Sequence, residues 1–341
     1  MVENIEPYII IPACPPTTVK PNYLHFDYAN VMLLQRVIAP YGDSQKIVVG
    51  ILREHDFKYQ ARTFISKLCP NVNVVVLDEL TRGPAETVHQ ILTVAGIYDS
   101  PILIKDCDSF FDHSAGTGNY VCVSCISDHD VLTKIQSKSF VRYNVQGIVT
   151  DIVEKAVVSD TFSTGAYHFE SARLFMECYQ TLGNNAYVSH VISAAINMGH
   201  TFTIMPVANY VDVGTEEEWH EYNDGHPVIF CDIDGTIIEA QKRFGKNSYD
   251  DEPEPLIDNV SRLLELQRQG AQFIFVTSRP KEYLVRTEAV LLNLGFKGFT
   301  LVAGLNNSRR ILINDYNEAN PYPRARAINI QRNADNLRDF I

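Results

Sequence analysis

Apolar runs rich in β-branched residues alternate with segments of helical period along most of the chain. Strands that alternate with helices in this way are typical of βα units around a largely parallel sheet, so the pattern predicts an α/β fold. In the N-terminal half, strands are predicted near 8–11, 46–52, 73–77 and 101–104, and helices near 30–38, 57–67 and 84–95.

The pattern changes between 120 and 169, where strand signals follow one another closely with few helical segments between them. Such a stretch predicts a mixed or antiparallel extension of the first sheet. Helical spacing returns near 171–181 and 190–198, and a short strand then leads to Asp212.

A domain boundary is predicted in the polar stretch 216–225, because turn-forming residues end it and a new apolar strand follows. We expect one domain at 1–222 and a second at 226–341, each long enough to bury its own core. The second half repeats the alternation, with strands predicted near 228–231, 273–277, 300–302 and 311–314 and helices near 256–269 and 281–294.

The composition narrows the range of partners. The chain of 341 residues has 41 acidic and 29 basic side chains and a formal net charge of −12, which argues against nucleic acid or an anionic membrane as the main partner. Without a long apolar run or a leader-like N-terminus, we expect a cytoplasmic protein. The seven cysteines are predicted to be reduced thiols, including the pair Cys122 and Cys125.

Two aspartates close the strand that opens the second domain, in the order Asp232-Ile233-Asp234-Gly235-Thr236. Ligands of open α/β sheets bind at the carboxyl ends of the strands, and a spacing of two in an extended segment puts both side chains on one side. Because neighbouring carboxylates repel each other unless a cation neutralises them, we expect a hard divalent ion such as Mg²⁺ here.

Two later segments carry groups that suit phosphate. Thr277 and Arg279 follow the next apolar strand, and hydroxyl and guanidinium groups bind phosphate oxygens well. Arg309 and Arg310 precede the last apolar segment, and Asp315 follows it. Three such motifs in order are hard to explain as turns alone.

These motifs resemble the haloacid dehalogenase superfamily of phosphohydrolases, whose first motif is DxDGT, over about residues 227–341. The resemblance implies a parallel Rossmannoid sheet, Asp232 as the nucleophile that forms an aspartyl-phosphate, and Asp234 as the acid and base. The other site residues that it implies are the phosphate-binding Thr277, the Mg²⁺ ligands Asp232, Asp234 (through its backbone carbonyl) and Asp315, and a cation at Arg310 or Arg309.

The presence of Asp234 favours a phosphatase, since dehalogenases lack this second acid. The segment 239–255 is too short for a separate cap domain. We therefore expect a minimal cap and a site that is open, or covered by the first domain or by another subunit of a homo-oligomer.

In the first domain, a buried strand ends in Asp106-Cys107-Asp108, again an acidic pair at the carboxyl end of a strand. A further acid, Asp212, precedes the glycine turn at Gly214. Taken alone, Asp106 and Asp108 could be solvated loop acids, and Lys155 could be a surface lysine.

Together with Gly83, Lys155 and Gly165, these acids resemble the sugar-phosphate nucleotidyltransferases of the GT-A-like fold, over about residues 7–222. The resemblance implies that Asp108 and Asp212 hold the Mg²⁺ that bridges the nucleotide's phosphates. It further implies that Gly83 lies near the nucleobase, Lys155 near the sugar phosphate and Gly165 near the sugar.

The loop after the first strand departs from that family. Residues 12–21 contain no glycine and no arginine, and Pro15 and Pro16 lack the N–H groups that a triphosphate cradle needs. Lys20 is the candidate for the family's lysine, and Lys155 is followed by Ala156 instead of proline.

The sequence thus predicts a Mg²⁺-dependent phosphomonoester hydrolase joined to a sugar-phosphate or polyol-phosphate nucleotidyltransferase, a bifunctional enzyme of activated-sugar or polysaccharide-precursor synthesis. Its partners would be a phosphorylated small molecule and an NTP. Two alternatives stay open: a phosphatase whose first domain only binds substrate, and a non-catalytic binding protein. The acidic charge disfavours a nucleic-acid 3′-phosphatase.

Overall fold

The structure is a computed structural model that describes residues 6–16, 21–42, 44, 46–113, 116–129, 135–183, 185–240, 254–315 and 325–341. The chain divides into two compact units, Met1–His220 and Glu221–Ile341. Among the described residues, no helix is both long and apolar enough to cross a membrane.

The first unit contains the strands β1 (Tyr8–Ala13), β2 (Ile47–Leu52), β3 (Val72–Leu77), β4 (Ile102–Lys105), β5 (Ser109–Asp112), β6 (Asn119–Cys125), β7 (Ser139–Tyr143), β8 (Val149–Glu154), β9 (Thr161–Phe169), β10 (Phe202–Pro206) and β11 (Ala208–Asp212). Its helices are α1 (Leu33–Ile38), α2 (Arg53–Tyr59), α3 (Ala61–Leu68), α4 (Pro84–Ala95), α5 (Ala172–Gln180) and α6 (Val188–Asn197). The division between the units falls within α7 (Glu216–Asp224).

A mixed sheet of nine strands dominates the first unit, with the main order β10-β6-β9-β4-β1-β2-β3. The strands β1 to β4 are parallel where they pair, whereas β9 runs antiparallel to both β4 and β6. The strands β7 and β8 join this sheet through β9. The α/β class and the antiparallel extension predicted between 120 and 169 are therefore confirmed. Every residue of β2 is buried, as expected for a strand covered on both faces.

The helix predicted near 57–67 is instead two helices, α2 and α3. Gln60, between them, has a φ of 53°, and a left-handed residue cannot continue a right-handed helix. By contrast, α4 agrees with its prediction, because Pro84 opens it and the left-handed Gly96 follows its last residue.

The second unit contains a sheet of three parallel strands, in the order β12 (Val228–Asp232), β13 (Gln272–Val276) and β14 (Thr300–Val302). Its helices are α8 (Ile257–Arg268) and α9 (Leu284–Asn293). Phe273, Phe275 and Phe296 form the centre of its core.

The strand predicted near 311–314 is wrong. These residues lie outside any strand of the structure, and Ile311 and Ile313 are 78% and 89% exposed. Arg310 gives a local reason, since its Nη1 donates hydrogen bonds to the carbonyl oxygens of Asn306 (3.2 Å) and Ser308 (2.7 Å). The chain therefore turns just before the apolar residues.

Candidate active sites

Asp108 and Asp212 lie side by side in the first unit. The strands β5 and β11 pair antiparallel with Ser109 opposite Asp212, and the amide of Val213 donates to the carbonyl of Asp108 at 2.9 Å. A Cβ added at Gly214 would lie 3.2 Å from Asp108 Oδ2 and 3.4 Å from Asp212 Oδ1. Glycine therefore keeps open a small space that both carboxylates face.

Lys105 stabilises the loop between β4 and β5, and this residue is only 1% exposed. Its Nζ donates at 2.8 Å to the carbonyls of Asp106 and Ser109 and to the hydroxyl of Ser109. These three acceptors use all three N–H groups of the ammonium. Burial lowers the pKa of Lys105, and the neighbouring acids Asp106 and Asp108 act against that shift.

Gly165 makes room for the carboxylate of Asp106. Its φ is +79°, and an added Cβ would lie 2.5 Å from Asp106 Oδ2. Its carbonyl also accepts a hydrogen bond from the Asp106 amide at 2.8 Å. Burial and the nearby charge of Asp108 raise the pKa of Asp106 to about 7, while Lys105 lowers it. Burial is thus the main cause that disfavours the charged form of Asp106.

Lys138, which directly precedes β7, adds a cation that sequence reasoning missed. Its Nζ forms an ion pair with Asp212 and donates to the hydroxyl of Tyr210 at 3.0 Å. Burial lowers the pKa of Lys138, and the charges of Asp108 and Glu218 raise it. A lone lysine at a strand start carries no signal in the sequence that would single it out.

The other predicted residues of the first unit lie as follows. Gly83 is extended, and an added Cβ would meet the carbonyl oxygen of Ala186 at 2.9 Å, so chain packing already requires glycine there. The exposed Lys155 donates from Nζ to the hydroxyl of Tyr187 at 2.5 Å, which raises its pKa. Lys20 lies outside the described residues. The ligand roles of all three remain predictions.

In the second unit, Asp232 and Thr277 come to one edge of the sheet. The register pairs Asp232 with Val276, the residue before Thr277. The Thr277 hydroxyl donates to Asp234 Oδ2 at 3.3 Å and accepts from the amide of Arg279 at 3.1 Å. Three of the predicted site residues therefore lie together at the carboxyl ends of β12 and β13.

The buried guanidinium of Arg279 binds the carboxylate of Asp234 through two parallel hydrogen bonds. Nε donates to Oδ2 at 2.9 Å and Nη2 to Oδ1 at 2.7 Å, while Nη1 donates to the hydroxyl of Thr287 at 3.3 Å. Such a fork fixes both the position and the rotation of a carboxylate. The sequence indicated Arg279 as a phosphate ligand, and the structure pairs it with an acid instead.

Asp232 is the more accessible acid, with a side chain that is 48% exposed. Its Oδ1 lies 3.9 Å from Nη2 of Arg310, so the structure brings Arg310 to this acid. Partial burial and the charge of Asp234 raise the pKa of Asp232, while Arg310 and Arg332 lower it. Arg332 is thus a second cation that acts on Asp232.

The residues near the end of the sequence support this site. Gly235 turns with a φ of +90°, and its carbonyl accepts from the amide of Asn333 at 2.9 Å. Asn259 is fully buried, donates to the carbonyls of Thr236 and Ala334, and accepts from the amide of Leu337, each at 2.8 Å. The loop after Asp232 is therefore held by both α8 and residues 333–337.

Both sites offer oxygen donors of the kind that Mg²⁺ prefers. In the first unit, the space beside Gly214 fits a small cation between Asp108 and Asp212. In the second, the half-exposed carboxylate of Asp232 is the accessible oxygen donor. Asp315 is exposed, and within the described ranges no cluster of three or more His, Cys, Asp or Glu side chains could hold a metal. A metal site with Asp315 therefore remains a prediction.

The first unit has relatives among solved structures. The chain is similar to the nucleoside-diphosphate-sugar pyrophosphorylase from Vibrio cholerae, with 18% identity and a TM-score of 0.53 over 62% of this chain and 98% of that one. It is also similar to the inositol-1-phosphate CTP transferase from T. maritima, with 14% identity and a TM-score of 0.50 over 62% and 89% of the two chains. No family model matches the sequence, and no curated protein is significantly similar to it.

These similarities lie in the N-terminal part of the chain. At such low identity they show that the first unit has a nucleotidyltransferase-like fold, and they do not by themselves transfer an activity.

Proposed function

We propose that the chain has two sites for phosphate chemistry: a sugar-phosphate or polyol-phosphate nucleotidyltransferase in the first unit and a Mg²⁺-dependent phosphomonoester hydrolase of the haloacid dehalogenase type in the second. The observation that carries the first half is the adjacency of Asp108 and Asp212 around Gly214 on a nucleotidyltransferase-like fold. The second half rests on the accessible Asp232 beside Arg310, with Asp234 fixed by Arg279.

In the second unit, an oxygen of Asp232 attacks phosphorus while the bond from phosphorus to the ester oxygen breaks. Asp234 enters this step as the protonated acid, with its ion pair to Arg279 open, and gives its proton to the leaving alcohol. Asp234 then takes a proton from water, whose oxygen attacks the aspartyl-phosphate, releasing phosphate and restoring Asp232. Arg310 would neutralise a phosphate oxygen, and Arg279 would pair with Asp234 while Asp234 is ionised between the two steps.

In the first unit, the phosphate of the sugar attacks the α-phosphorus of the nucleotide, and pyrophosphate leaves. Asp108 and Asp212 would hold Mg²⁺, which supplies positive charge to the nucleotide's phosphates. Lys155, which is exposed beside Tyr187, would bind the sugar phosphate.

Phosphorylated sugars or polyols and NTPs are thus the proposed partners, Mg²⁺ is the proposed cofactor, and the acidic chain is proposed to act in the cytoplasm without nucleic acid or membrane. The proposed domains are 1–222 and 226–341. A homo-oligomer in which another subunit covers the second site remains part of the proposal.

Two observations favour the alternative in which the first unit only binds substrate. Lys138 already neutralises Asp212, and Pro15 and Pro16 offer no N–H groups to a triphosphate. The presence of both Asp108 and Asp212 opposes this alternative, because a remnant has little reason to keep two half-buried acids side by side.

The test measures phosphate release from a panel of phosphosugars and phosphopolyols, and pyrophosphate release with each of the four NTPs, both with Mg²⁺. We expect Asp232→Asn to lower phosphate release at least about a thousandfold and leave pyrophosphate release intact. Asp108→Asn should do the reverse. Glu288→Gln, an exposed change on α9, removes one negative charge and should alter neither activity.

Substantial phosphate release by Asp232→Asn would remove that residue from the role of nucleophile. Phosphate release alone in the unmodified chain would leave the first unit as a binding domain. Absence of both activities would favour a non-catalytic binding protein.

A further inference from the structure

Lys138 lies where a cation of the first site would lie. Its ammonium pairs with Asp212, and the side chains of the two residues are only 13% and 18% exposed. The backbone next to it is fixed, because the carbonyl of Lys138 accepts a hydrogen bond from the amide of Lys155 at 3.0 Å. The side chain beyond that anchor has four rotatable carbons and can move.

The charges around Lys138 are mostly negative. Asp106, Asp108 and Glu218 all act on its ammonium electrostatically, in addition to the direct pair with Asp212. The nearby ammonium of Lys105 is committed to the carbonyls and hydroxyl that it binds. Lys138 is therefore the cation that balances Asp212 in the structure.

A divalent cation held by both Asp108 and Asp212 would meet this ammonium. The space that the two carboxylates share lies beside Gly214, and Lys138 occupies the other oxygen of Asp212, Oδ2. A doubly charged ion a few ångströms from an ammonium in a partly buried site is strongly repelled. Binding of the metal therefore disfavours the ammonium at Asp212, and the ammonium disfavours binding of the metal.

We propose that Lys138 is an internal counter-ion that competes with the divalent metal for Asp212, so that it weakens metal binding to the first unit. This inference rests on the proposed metal role of Asp108 and Asp212. It explains how Asp106, Asp108 and Asp212 lie close together in the folded protein without a metal. It also makes Lys138 a determinant of the metal affinity of this site.

The experiment titrates the full chain with Mn²⁺ and measures free Mn²⁺ by electron paramagnetic resonance. All proteins carry Asp232→Asn, which weakens metal binding in the second unit. Lys138→Met keeps the length of the side chain and removes its charge, so we expect Mn²⁺ to bind about tenfold more tightly or better. Lys138→Arg should bind like the parent, and Asp212→Asn should lose the site.

Lys67→Met is the matched control, because it removes the same charge from an exposed position on α3 and should leave the Kd unchanged. Trp219 fluorescence reports whether each first unit is folded, and Lys138→Gln replaces Lys138→Met if the latter is not. An unchanged Kd in the uncharged Lys138 variants, with binding lost in Asp212→Asn, would overturn the inference and leave the metal site standing. If no protein shows Mn²⁺ binding that depends on Asp212, the proposed metal role fails, and the inference fails with it.

Discussion

Each unit has an Asp-x-Asp sequence at the end of an apolar strand, yet the two pairs lie in opposite environments. In the first unit, Asp106 is crowded against Gly165 and its pKa is raised to about 7, while Asp108 faces Asp212. In the second unit, Asp232 is half exposed and Asp234 is gripped by Arg279. The same spacing therefore fixes where two acids lie and does not fix which of them is exposed and which is ion-paired.

The difference follows from the cations that each unit supplies. Lys105 and Lys138 are the cations near the first pair, and an ammonium is a compact charge on a flexible side chain. Arg279 binds Asp234 of the second pair, and its planar guanidinium holds the carboxylate in one orientation. We therefore expect the first site to adjust when a cation arrives and the second to keep its geometry.

The largest effect on stability is expected from Arg279→Met. It leaves Asp234 partly buried beside Thr277 without its ion pair, and breaking such a pair costs about 3 to 5 kcal/mol. Urea unfolding followed by far-ultraviolet circular dichroism should show the loss. The transition of Trp219 fluorescence should stay in place, because the single tryptophan lies in the first unit.

Arg268→Met is the control for that change, since Arg268 is exposed at the end of α8 and should matter by less than about 1 kcal/mol. Equal losses in the two variants would mean that the fork on Asp234 adds nothing to stability.

A smaller loss is expected from Gly165→Ala in the first unit. The added Cβ combines an unfavourable positive φ with a contact 2.5 Å from Asp106 Oδ2, so we expect about 3 kcal/mol. Gly147→Ala has a similar φ of +76°, but its nearest neighbour lies 3.5 Å away, and strain alone should cost about 1 to 2 kcal/mol. Urea unfolding followed by Trp219 fluorescence measures both. If Gly165→Ala costs no more than Gly147→Ala, Asp106 is not held against this glycine.

The last expected effect is a pH dependence of the first unit through His113, which is small near pH 6 and grows as the pH falls. Burial, aided by His168 and Lys105, lowers the pKa of His113 to about 4, well below the value of about 6.5 in an unfolded chain. Between these values the unfolded state binds the extra proton, so this contribution to stability is complete above about pH 6.5 and is lost as the pH falls towards 4. His113→Gln should flatten the pH dependence of the Trp219 unfolding transition, and an unchanged slope would contradict the assignment.

Much of the fold could be predicted from the hydrophobic pattern, because buried strands such as β1, β2 and β4 are continuous apolar runs. The positions of Asp232 and Thr277 followed from the rule that strand ends meet at one edge of a parallel sheet. Gln60 was missed, since a left-handed residue within a helical pattern leaves no periodic signal. The prediction of a strand near 311–314 was wrong. An apolar run shows only that the residues are compatible with a strand, whereas the turn before them depends on hydrogen bonds from Arg310 to backbone carbonyls.

The partners of the acids were the part of the sites that the sequence could not supply. Lys138 and Asp212 are 74 positions apart in the sequence and meet only because separate strands pair. Arg279 contacts Asp234 because the ends of two strands lie next to each other. Either cation could equally have faced solvent or a ligand. Ion pairs between distant residues depend on side-chain packing, which single-sequence patterns do not encode.

The contacts of Asn333 with the loop at 235–240 affect the order in which the second unit folds during synthesis. The Asn333 side chain accepts a hydrogen bond from the amide of Ala240, 93 positions earlier. A growing chain therefore has the first unit complete, and the nucleophile strand already synthesised, long before this contact can form. Contacts between distant positions form late, so the second unit should acquire its ordered loop only after residue 333 has left the ribosome.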